Sequence, residues 1–470
     1  MIKLDFAALA EIVGGELLDK RFNSTFFEGV SIDSRTISPR QLFIAIRGEK
    51  TDGHKYISDA ISRGAAGLML DRRDINLTSI SKDSPILIVP DTHGAMIRLA
   101  SGYRAKLSAD IIAITGSNGK TTTKEIAFAI IASKYSSTYR SPGNLNNLFG
   151  LPLAIFSMPY NTRYGVFELG ISIPGEMTRL AGMLHPDIAV ITNIGPTHLE
   201  TLGTVENVAE AKLELVDSIG ASKPAIINAD EPVLVKAARR RNRKYITYGI
   251  DFPADFTARR VGISDDGFPV IEIEGTAIKI RLFGDHQIYN ILAGFALART
   301  LGINIDPEEL NHINYQFAPY RGEIENIHSL TIIADCYNAN PVSMQSGLET
   351  FSGYLKNSSM RGRRGIAVLG DMLELGSASP EYHREIGKLL ARLDFPMTIA
   401  VGPLSRDMYE AALQSGLARE KIMHFEEVDA AAEYLLNNSS RNDVVYFKAS
   451  RGIGLEKIIT LLKGAAFRQN

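Results

Sequence analysis

An α/β fold with more than one open sheet of mainly parallel strands is what this sequence predicts, and three observations predict it. Between Asp110 and Ile227 short apolar runs recur, separated by stretches with helical spacing, which is the pattern of parallel strands wound with helices. The same rhythm returns in the last third of the chain. At 470 residues the chain exceeds what one hydrophobic core usually supports, so two to four domains are expected.

The elements follow in order. Asp5 caps an amphipathic helix through Phe6, Leu9, Ile12 and Val13, and short strands are expected around Val30 to Ile32 and Leu42 to Ile46. This first segment ends near Lys106. Strands are then expected at Ile111 to Ile114, Tyr164 to Leu169, Ile188 to Ile191 and Ala225 to Ile227. A polar, glycine-containing region from Asp251 to Gly284 reads as short antiparallel strands inserted before a helix from Tyr289 to Leu301. Leu330 to Ala334, Ile366 to Leu369, Met397 to Val401 and Val444 to Phe447 read as strands of a second open sheet. There is no internal repeat and no low-complexity tract.

The turn after the run at Ile111 carries the most chemistry. In TGSNGKTTTK, from Thr115 to Lys124, the glycines fall between a strand and a helix, where several backbone N–H groups and a helix N-terminus face one anion. Lys120 adds a point charge where a triphosphate's outer phosphates would lie, and Thr121 offers a hydroxyl to Mg²⁺. The common pattern has a glycine five positions before the Gly-Lys pair; here that position is Ile114, so the loop is a shortened variant in which Gly116 and Gly119 bracket Ser117 and Asn118. A glycine-rich turn beside a lysine is the bland alternative.

Composition excludes several classes. A net charge of −2 argues against a dedicated nucleic-acid binder, and the basic run Lys236 to Lys244 reads first as a helix end with a solvated face. A single cysteine, Cys336, excludes a disulfide framework and fits a reducing compartment. MIKLDFAALAEIVGG has no secretory h-region or cleavage site, and no apolar run is long enough to span a bilayer, so a soluble, cytoplasmic protein without membrane contact is expected.

Two further residues stand at predicted strand ends. Glu168 closes YGVFELG, and an acid there can hold a metal ion bound to nucleotide phosphates. His198 follows IAVITNI in the turn GPTHLE. Either alone reads as an ordinary loop residue; beside a phosphate loop they fit the rule that open parallel sheets gather ligands at the carboxyl ends of strands.

These residues, with others along the chain, resemble the Mur ligases, ATP-dependent amide-forming enzymes of peptidoglycan synthesis. The carriers are DSRTISPRQLFIAIRGEKTDGHKYI at Asp33, ITGSNGKTTTKE at Ile114, GNLNNLFGLPL at Gly143, FELGIS at Phe167, NIGPTHLETLGTVENVAEAK at Asn193, DCYNANPVSM at Asp335, LGDMLELG at Leu369 and KASRG at Lys448, so the resemblance covers essentially the whole chain. The phosphate loop alone would indicate only the wider family, which includes folylpolyglutamate synthases. GNLNN together with YNANP selects the member that adds D-alanyl-D-alanine to UDP-N-acetylmuramoyl-tripeptide.

The resemblance implies three domains. Residues 1–108 would form a small mixed α/β domain binding the UDP-muramyl substrate. Residues 109–318 would form a central P-loop ATPase-like parallel sheet with helices on both faces, binding ATP, and 319–470 a C-terminal Rossmann-like open sheet that closes on ATP and binds the dipeptide. It also implies roles. Gly116, Ser117, Asn118, Gly119, Lys120, Thr121 and Thr122 hold the phosphates, with Thr121, Glu168 and His198 supporting Mg²⁺. Lys212, in EAKLEL, corresponds to the family's lysine carbamylated by CO₂; read from its neighbours alone it is a solvated helix lysine. A carbamate at Lys212 is sensible chemistry, since it is an anion that can ligate or orient Mg²⁺, whereas an ordinary lysine with a pKa of about 10.4 is a cation that would repel it.

By the same resemblance Asn290 and Arg321 are adenine and phosphate contacts, and Asp335 and Asn338 sit where a strand-end acid reaches the ribose. Asp335 could instead cap the turn before Pro341. Ser34 and Arg35 lie near the uridine, while Asn144, Asn146 and Asn147 are contacts beside the ATP loop that would equally suit a plain turn. Asp371, Glu374, Ser450 and Arg451 belong to the last domain, where Arg451 would welcome the dipeptide carboxylate. The chain departs from many relatives at Gln287, Ala334 and Leu148, where they have Asn, an acid and Glu.

The implied chemistry is attack of a substrate carboxylate on the γ-phosphate of ATP, then aminolysis of the acyl phosphate, in a monomer. Two rivals stay open at this stage. One is another Mur-type or folylpolyglutamate-type ligase with a different acceptor; the other is a non-catalytic nucleotide switch.

Overall fold

Seven parallel strands form the sheet that positions the phosphate loop. They run in the order Phe256–Thr257, Ile246–Gly249, Ala225–Asn228, Ile188–Ile191, Asp110–Thr115, Tyr164–Glu168 and Thr138–Arg140. The computed structural model describes residues 1–48, 51–71, 83–264, 266–327, 330–357, 360 and 362–464; Glu49 and Lys50 of the first motif lie outside them. The inner strands are runs of Ile, Val and Ala because helices cover both faces, so neither face can alternate with polar residues. From Asp110–Thr115 the chain reaches Tyr164–Glu168 on one side and Ile188–Ile191 on the other. Connections diverge there, which leaves a crevice outside the carboxyl ends of these three strands.

The expected strands are present, with differences at their edges. Thr138–Arg140, Ile246–Gly249 and Ile422–Phe425 are additional strands, short and half polar because they lie at or near sheet edges. In the inserted region, Arg259–Ile263, Pro269–Ile273 and Thr276–Lys279 form the expected antiparallel sheet. Phe256–Thr257 departs from it and extends the central sheet in parallel.

Upstream, Glu16–Leu17, Ile86–Ile88, Gly67–Leu70, Leu42–Ile44 and Val30–Ser31 make a five-stranded mixed sheet. Asp5 caps the helix Phe6–Val13 by accepting the Ala8 N–H at 2.8 Å. The apolar core beneath this sheet runs without a break into one face of the central sheet, through Phe6, Leu9, Leu99, Tyr103, Phe156 and Phe167. The other central face packs under the helix Gln287–Thr300.

The last sheet has six strands in the order Glu323–Ile327, Leu330–Ala334, Val444–Lys448, Gly365–Gly370, Met397–Val401 and Ile422–Phe425. All are parallel except the first, and the sheet has its own core on each face. Its carboxyl edge, at Asp335 and Lys448, faces the phosphate loop across a shared cleft.

Arg104 fastens the end of the helix Thr92–Arg104 to the central sheet. It is buried and donates to the carbonyls of Leu184 (2.9 Å), Leu107 (2.8 Å) and Ala109 (3.2 Å). Arg104→Met would leave those acceptors without donors, and hydrogen bonds to charged groups are worth about 2 kcal/mol each before compensation. We expect a loss of about 2–3 kcal/mol of stability, seen as a lower melting temperature in a thermal-shift assay; an unchanged melting temperature would contradict the anchoring role.

Candidate active site

Gly116 and Gly119 shape the loop by what they omit. Both lie at positive φ, +153° and +77°; a Cβ at the first would collide with Thr192 Oγ1 and at the second with Asn290 Oδ1. The loop is held from behind by the turn after Ile188–Ile191. Asn118 N donates to Asn193 Oδ1 (2.7 Å), while Thr192 Oγ1 (2.6 Å) and Asn193 Nδ2 (3.0 Å) both donate to the Asn118 carbonyl. Ser117 and Gly195 are joined similarly, the Gly195 N–H donating to Ser117 Oγ at 2.9 Å. These bonds leave the first N–H groups of the helix Lys120–Lys134, which no helix can satisfy internally, at the cleft wall formed by Lys120, Thr121 and Thr122.

Lys120, which lines the cleft, is held by its own loop. It folds back, and its Nζ donates to the carbonyls of Gly116 (2.8 Å) and Ser117 (3.2 Å). Burial lowers its pKa, and the Glu168 carboxylate opposes that shift. Thr121 Oγ1 donates to Glu168 Oε2 at 2.6 Å, and Asn146 Nδ2 donates to Glu168 Oε1 at 2.7 Å, so the strand-end acid links the phosphate loop to the asparagine loop. Asn144 and Asn147 line the same cleft, and Asn147 also holds the start of the helix Gly150–Ser157 by accepting the Gly150 N–H at 2.9 Å.

The far wall comes from the last sheet. Asn118 and Asn340 exchange side-chain amide hydrogen bonds of 3.3 and 2.8 Å, across 222 residues of sequence. His198 Nδ1 lies 2.7 Å from Glu374 Oε2, and both residues hold left-handed backbone, φ 53° and 63°. His198 holds the Glu374 carboxyl below its ordinary range. Arg321 lies over the Tyr337 ring at 3.9 Å, with Arg451 also near that ring at 5.4 Å. Asp335 is committed to Lys448 (2.6 Å) and the Tyr446 hydroxyl (3.1 Å).

One cleft of about 680 Å³ thus collects Ser117 to Thr122, Asn144, Asn146, Asn147, Glu168, His198, Asn290, Arg321, Asp335, Asn338 and Arg451. Two alternatives raised by the sequence do not hold. Lys212 is 1 % exposed rather than solvated, and burial, reinforced by the charge of Lys120, puts its ammonium well below an ordinary lysine. The cap before Pro341 is Asn340, which accepts the Ser343 N–H at 2.9 Å, and not Asp335. Ser34 and Arg35 lie outside this cleft, where Arg35 pairs with Asp33 at 2.7 Å. Asp371 is also outside it, accepting the N–H groups of Leu404 and Ser405 at the start of the helix Ser405–Gln414.

Sequence reasoning passed over Asn193, Tyr337, Asn340 and Glu231, which also line the cleft. The first three sit inside motifs already singled out, two or three residues past a strand or beside a proline, and position relative to those elements was the available signal. The basic run behaves as a solvated face: Arg241 pairs with Glu210 (3.0 Å) and Asp217 (2.7 Å), and Arg240 with Glu210 (3.2 Å).

The donor set fits a hydrated Mg²⁺ bound with a nucleotide. Among the described residues no three of His, Cys, Asp and Glu converge on one metal position. Thr121 and Glu168 instead present two hard oxygen ligands beside the phosphate loop, and Mg²⁺ commonly takes one or two protein oxygens plus phosphates and water. The nucleotide also fits: the buried Nε of Arg321 and Nδ1 of His286, two residues that line the cleft, have no hydrogen-bond partner among the described residues.

The sequence matches the Mur ligase middle domain over residues 114–298, the Mur ligase glutamate ligase domain over 321–451 and the Mur ligase family catalytic domain over 27–104. It is 34% identical to the UDP-N-acetylmuramoyl-tripeptide–D-alanyl-D-alanine ligase of Bacillus subtilis, covering 98% of each chain, and 30% identical to that of Escherichia coli, covering 98% of this chain and 99% of the other. The fold is similar to the crystal structure of MurF from Acinetobacter baumannii, with a TM-score of 0.84, 25% identity and coverage of 99% and 100%. It is also similar to the MurF ligase of Thermotoga maritima in complex with ADP, with a TM-score of 0.78, 27% identity and coverage of 93% and 97%. No helix among the described residues is long and apolar enough to cross a membrane.

Glu231 gives the cleft a pH signature. It precedes the helix Pro232–Ala238, and burial pushes its carboxyl from 4.5 up to about 7, against a hydrogen bond from the Ile194 N–H. An acid whose folded pKa is raised costs stability once the unfolded chain ionises. Stability should therefore fall as pH rises from about 4.5 to about 7 and level off above. At about 1.4 kcal/mol per unit, discounted for solvent in the cleft, the effect is about 2 kcal/mol. Glu231→Gln should flatten that part of the melting-temperature profile; an identical slope in the variant would refute the assignment.

Proposed function

The chain belongs to the Mur ligase family, and from that premise we propose that it joins D-alanyl-D-alanine to UDP-N-acetylmuramoyl-tripeptide at the expense of ATP. It is an ATP-dependent amide-forming ligase of peptidoglycan precursor synthesis. The observation that carries the reading is the single cleft in which the phosphate loop and Glu168 of one sheet meet Arg321, Asn338 and Asn340 of another.

The reaction has two steps. A carboxylate oxygen of the tripeptide bonds to the γ-phosphorus while the bond to the β–γ bridging oxygen breaks, releasing ADP. The dipeptide ammonium loses one proton, its free amine bonds to the acyl carbon, and the nitrogen gives up a second proton as phosphate leaves. Like charges resist the first step: two unit charges about 4 Å apart repel by about 4 kcal/mol at an effective dielectric of 20. Lys120 is placed to offset that repulsion, exchanging two neutral carbonyl acceptors for phosphate oxygens that form stronger charge-assisted bonds. The N–H groups at the start of Lys120–Lys134 cradle the same anion and help place it in line.

Thr121, Glu168 and His198 are the residues that would hold Mg²⁺, the Glu374 contact engaging His198 Nδ1 and leaving Nε2 for a ligand. When bound, the ion would draw charge from the transferring phosphoryl group. Burial disfavours the Lys212 ammonium, so its amine is suited to attack CO₂ and lose a proton, which gives an anionic carbamate in place of a cation. Asn144, Asn146 and Asn147 hydrogen-bond the muramyl peptide, and Ser34 and Arg35 serve the uridine end. Asn290 and Arg321 meet the nucleotide, Asp335 and Asn338 its ribose side, and Arg451 the dipeptide carboxylate.

Phosphate release that requires ATP, UDP-N-acetylmuramoyl-tripeptide and D-alanyl-D-alanine together is the expected outcome. Release with another amine acceptor would favour a different family member, and tight ATP binding without release would favour a switch. Lys120→Ala should lose at least about a hundredfold in kcat with the fold intact, and near-normal turnover in the folded variant would refute the role given to the loop.

A further inference from the structure

Lys124 has no solvent exposure, and none of the roles above uses it. Its Nζ donates to the carbonyls of Ser141 (2.8 Å) and Gly143 (2.7 Å) and lies 3.1 Å from Glu125 Oε1. All three ammonium donors are thereby engaged, so this lysine is not a spare phosphate ligand. The two carbonyls stand where the loop carrying Asn144, Asn146 and Asn147 begins. Burying an ammonium is costly, and an apolar side chain of similar volume would fill the space more cheaply; what the charge adds is direction toward two otherwise unpaired carbonyls.

Three residues earlier, on the same helical face, Thr121 bonds Glu168, whose other oxygen accepts from Asn146 of that same loop. A closed ring results: helix, Glu168, Asn146, loop, Lys124, helix. Glu125 is held in turn by Arg140 at 2.9 Å, at the end of the strand that leads into the loop.

We propose that Lys124 is a positioning residue that couples the two substrates, fixing the asparagine loop to the phosphate-gripping helix so that nucleotide binding sets the loop for the muramyl peptide. The inference rests on the reading of the cleft given above and adds to it a link between its two halves. One strut runs through Glu168 and can be disturbed by whatever the carboxylate ligates. The other, through Lys124, touches no ligand and holds the loop in either case.

Lys124→Met keeps an unbranched side chain and removes the charge. In the folded variant, the affinity for the ATP analogue AMP-PNP should stay close to that of the wild type. The KM for UDP-N-acetylmuramoyl-tripeptide should rise by about tenfold, within the usual range of coupling between sites. Calorimetry should also show that AMP-PNP tightens binding of the muramyl tripeptide in the wild type and no longer does so in the variant. An unchanged KM, or equal weakening of both ligands, overturns the proposal while leaving the ligase reading intact. A wild type that releases no phosphate with all three substrates overturns that reading and the coupling with it. If the variant does not fold, hydrogen exchange on the wild type decides: AMP-PNP should slow exchange in residues 143–147, and unchanged exchange there overturns the coupling.

Discussion

A loop that offers bare N–H groups to an anion cannot stiffen itself, because the groups that would form its own hydrogen bonds are the ones it must leave free. Its rigidity has to come from outside. Here Thr192 and Asn193 supply it, taking the carbonyl and the amide of Asn118 from behind while the helix N-terminus stays open toward the cleft. Each bond contributes only about 1 kcal/mol. Together they fix a conformation that Gly116 and Gly119 permit and that a side chain at either position would block. The sheet order follows from the same need, since the strand bearing the loop must lie beside the strand whose following turn braces it.

The two junctions between sheets differ in kind. The first sheet shares a continuous apolar core with the central one, including Phe6, Tyr103 and Phe156, and the Ile2 N–H donates to the Phe156 carbonyl at 2.7 Å. Across the cleft the last sheet meets the phosphate loop through polar contacts, the Asn118–Asn340 amide pair and the His198–Glu374 pair. Water can replace both at little cost, whereas apolar area cannot be exposed so cheaply. Away from the phosphate loop the same junction is apolar, with Phe283 packed against Tyr354 at 5.9 Å and Tyr446 at 5.6 Å, so only the part that lines the cleft is polar.

Much of this was legible in the chain. Long apolar runs gave the buried strands because burial on both faces leaves no alternation to confuse them, and strand-end position gave Glu168 and His198. Edge strands such as Thr138–Arg140 escaped because half their residues face solvent and carry no apolar signal. Burial of individual polar residues was the other blind spot. Lys212 and Lys124 lie on helices whose local spacing suits a surface, and only the packing of distant segments removes them from water. The ion pair of Asp335 escaped for a related reason: its partner Lys448 lies 113 residues further on, on a neighbouring strand that local pattern does not reveal.

Four lysines around the cleft show how one residue type is divided among roles by its acceptors. Lys448 faces the carboxylate of Asp335 at 2.6 Å and is neutralised in place. Lys124 is saturated by two carbonyls and Glu125, so it holds structure and cannot be drawn away. Lys120 rests on two carbonyls alone, an arrangement that a phosphate's charge outcompetes, and so it is the lysine able to change partners. Lys212 shows no hydrogen bond or ion pair among the described residues, and with Lys120 as the charge acting on it, its proton has no stabilising partner. Burial without an acceptor disfavours the ammonium relative to the free amine. A neighbouring carboxylate would have held the charge and made this lysine one more ion pair.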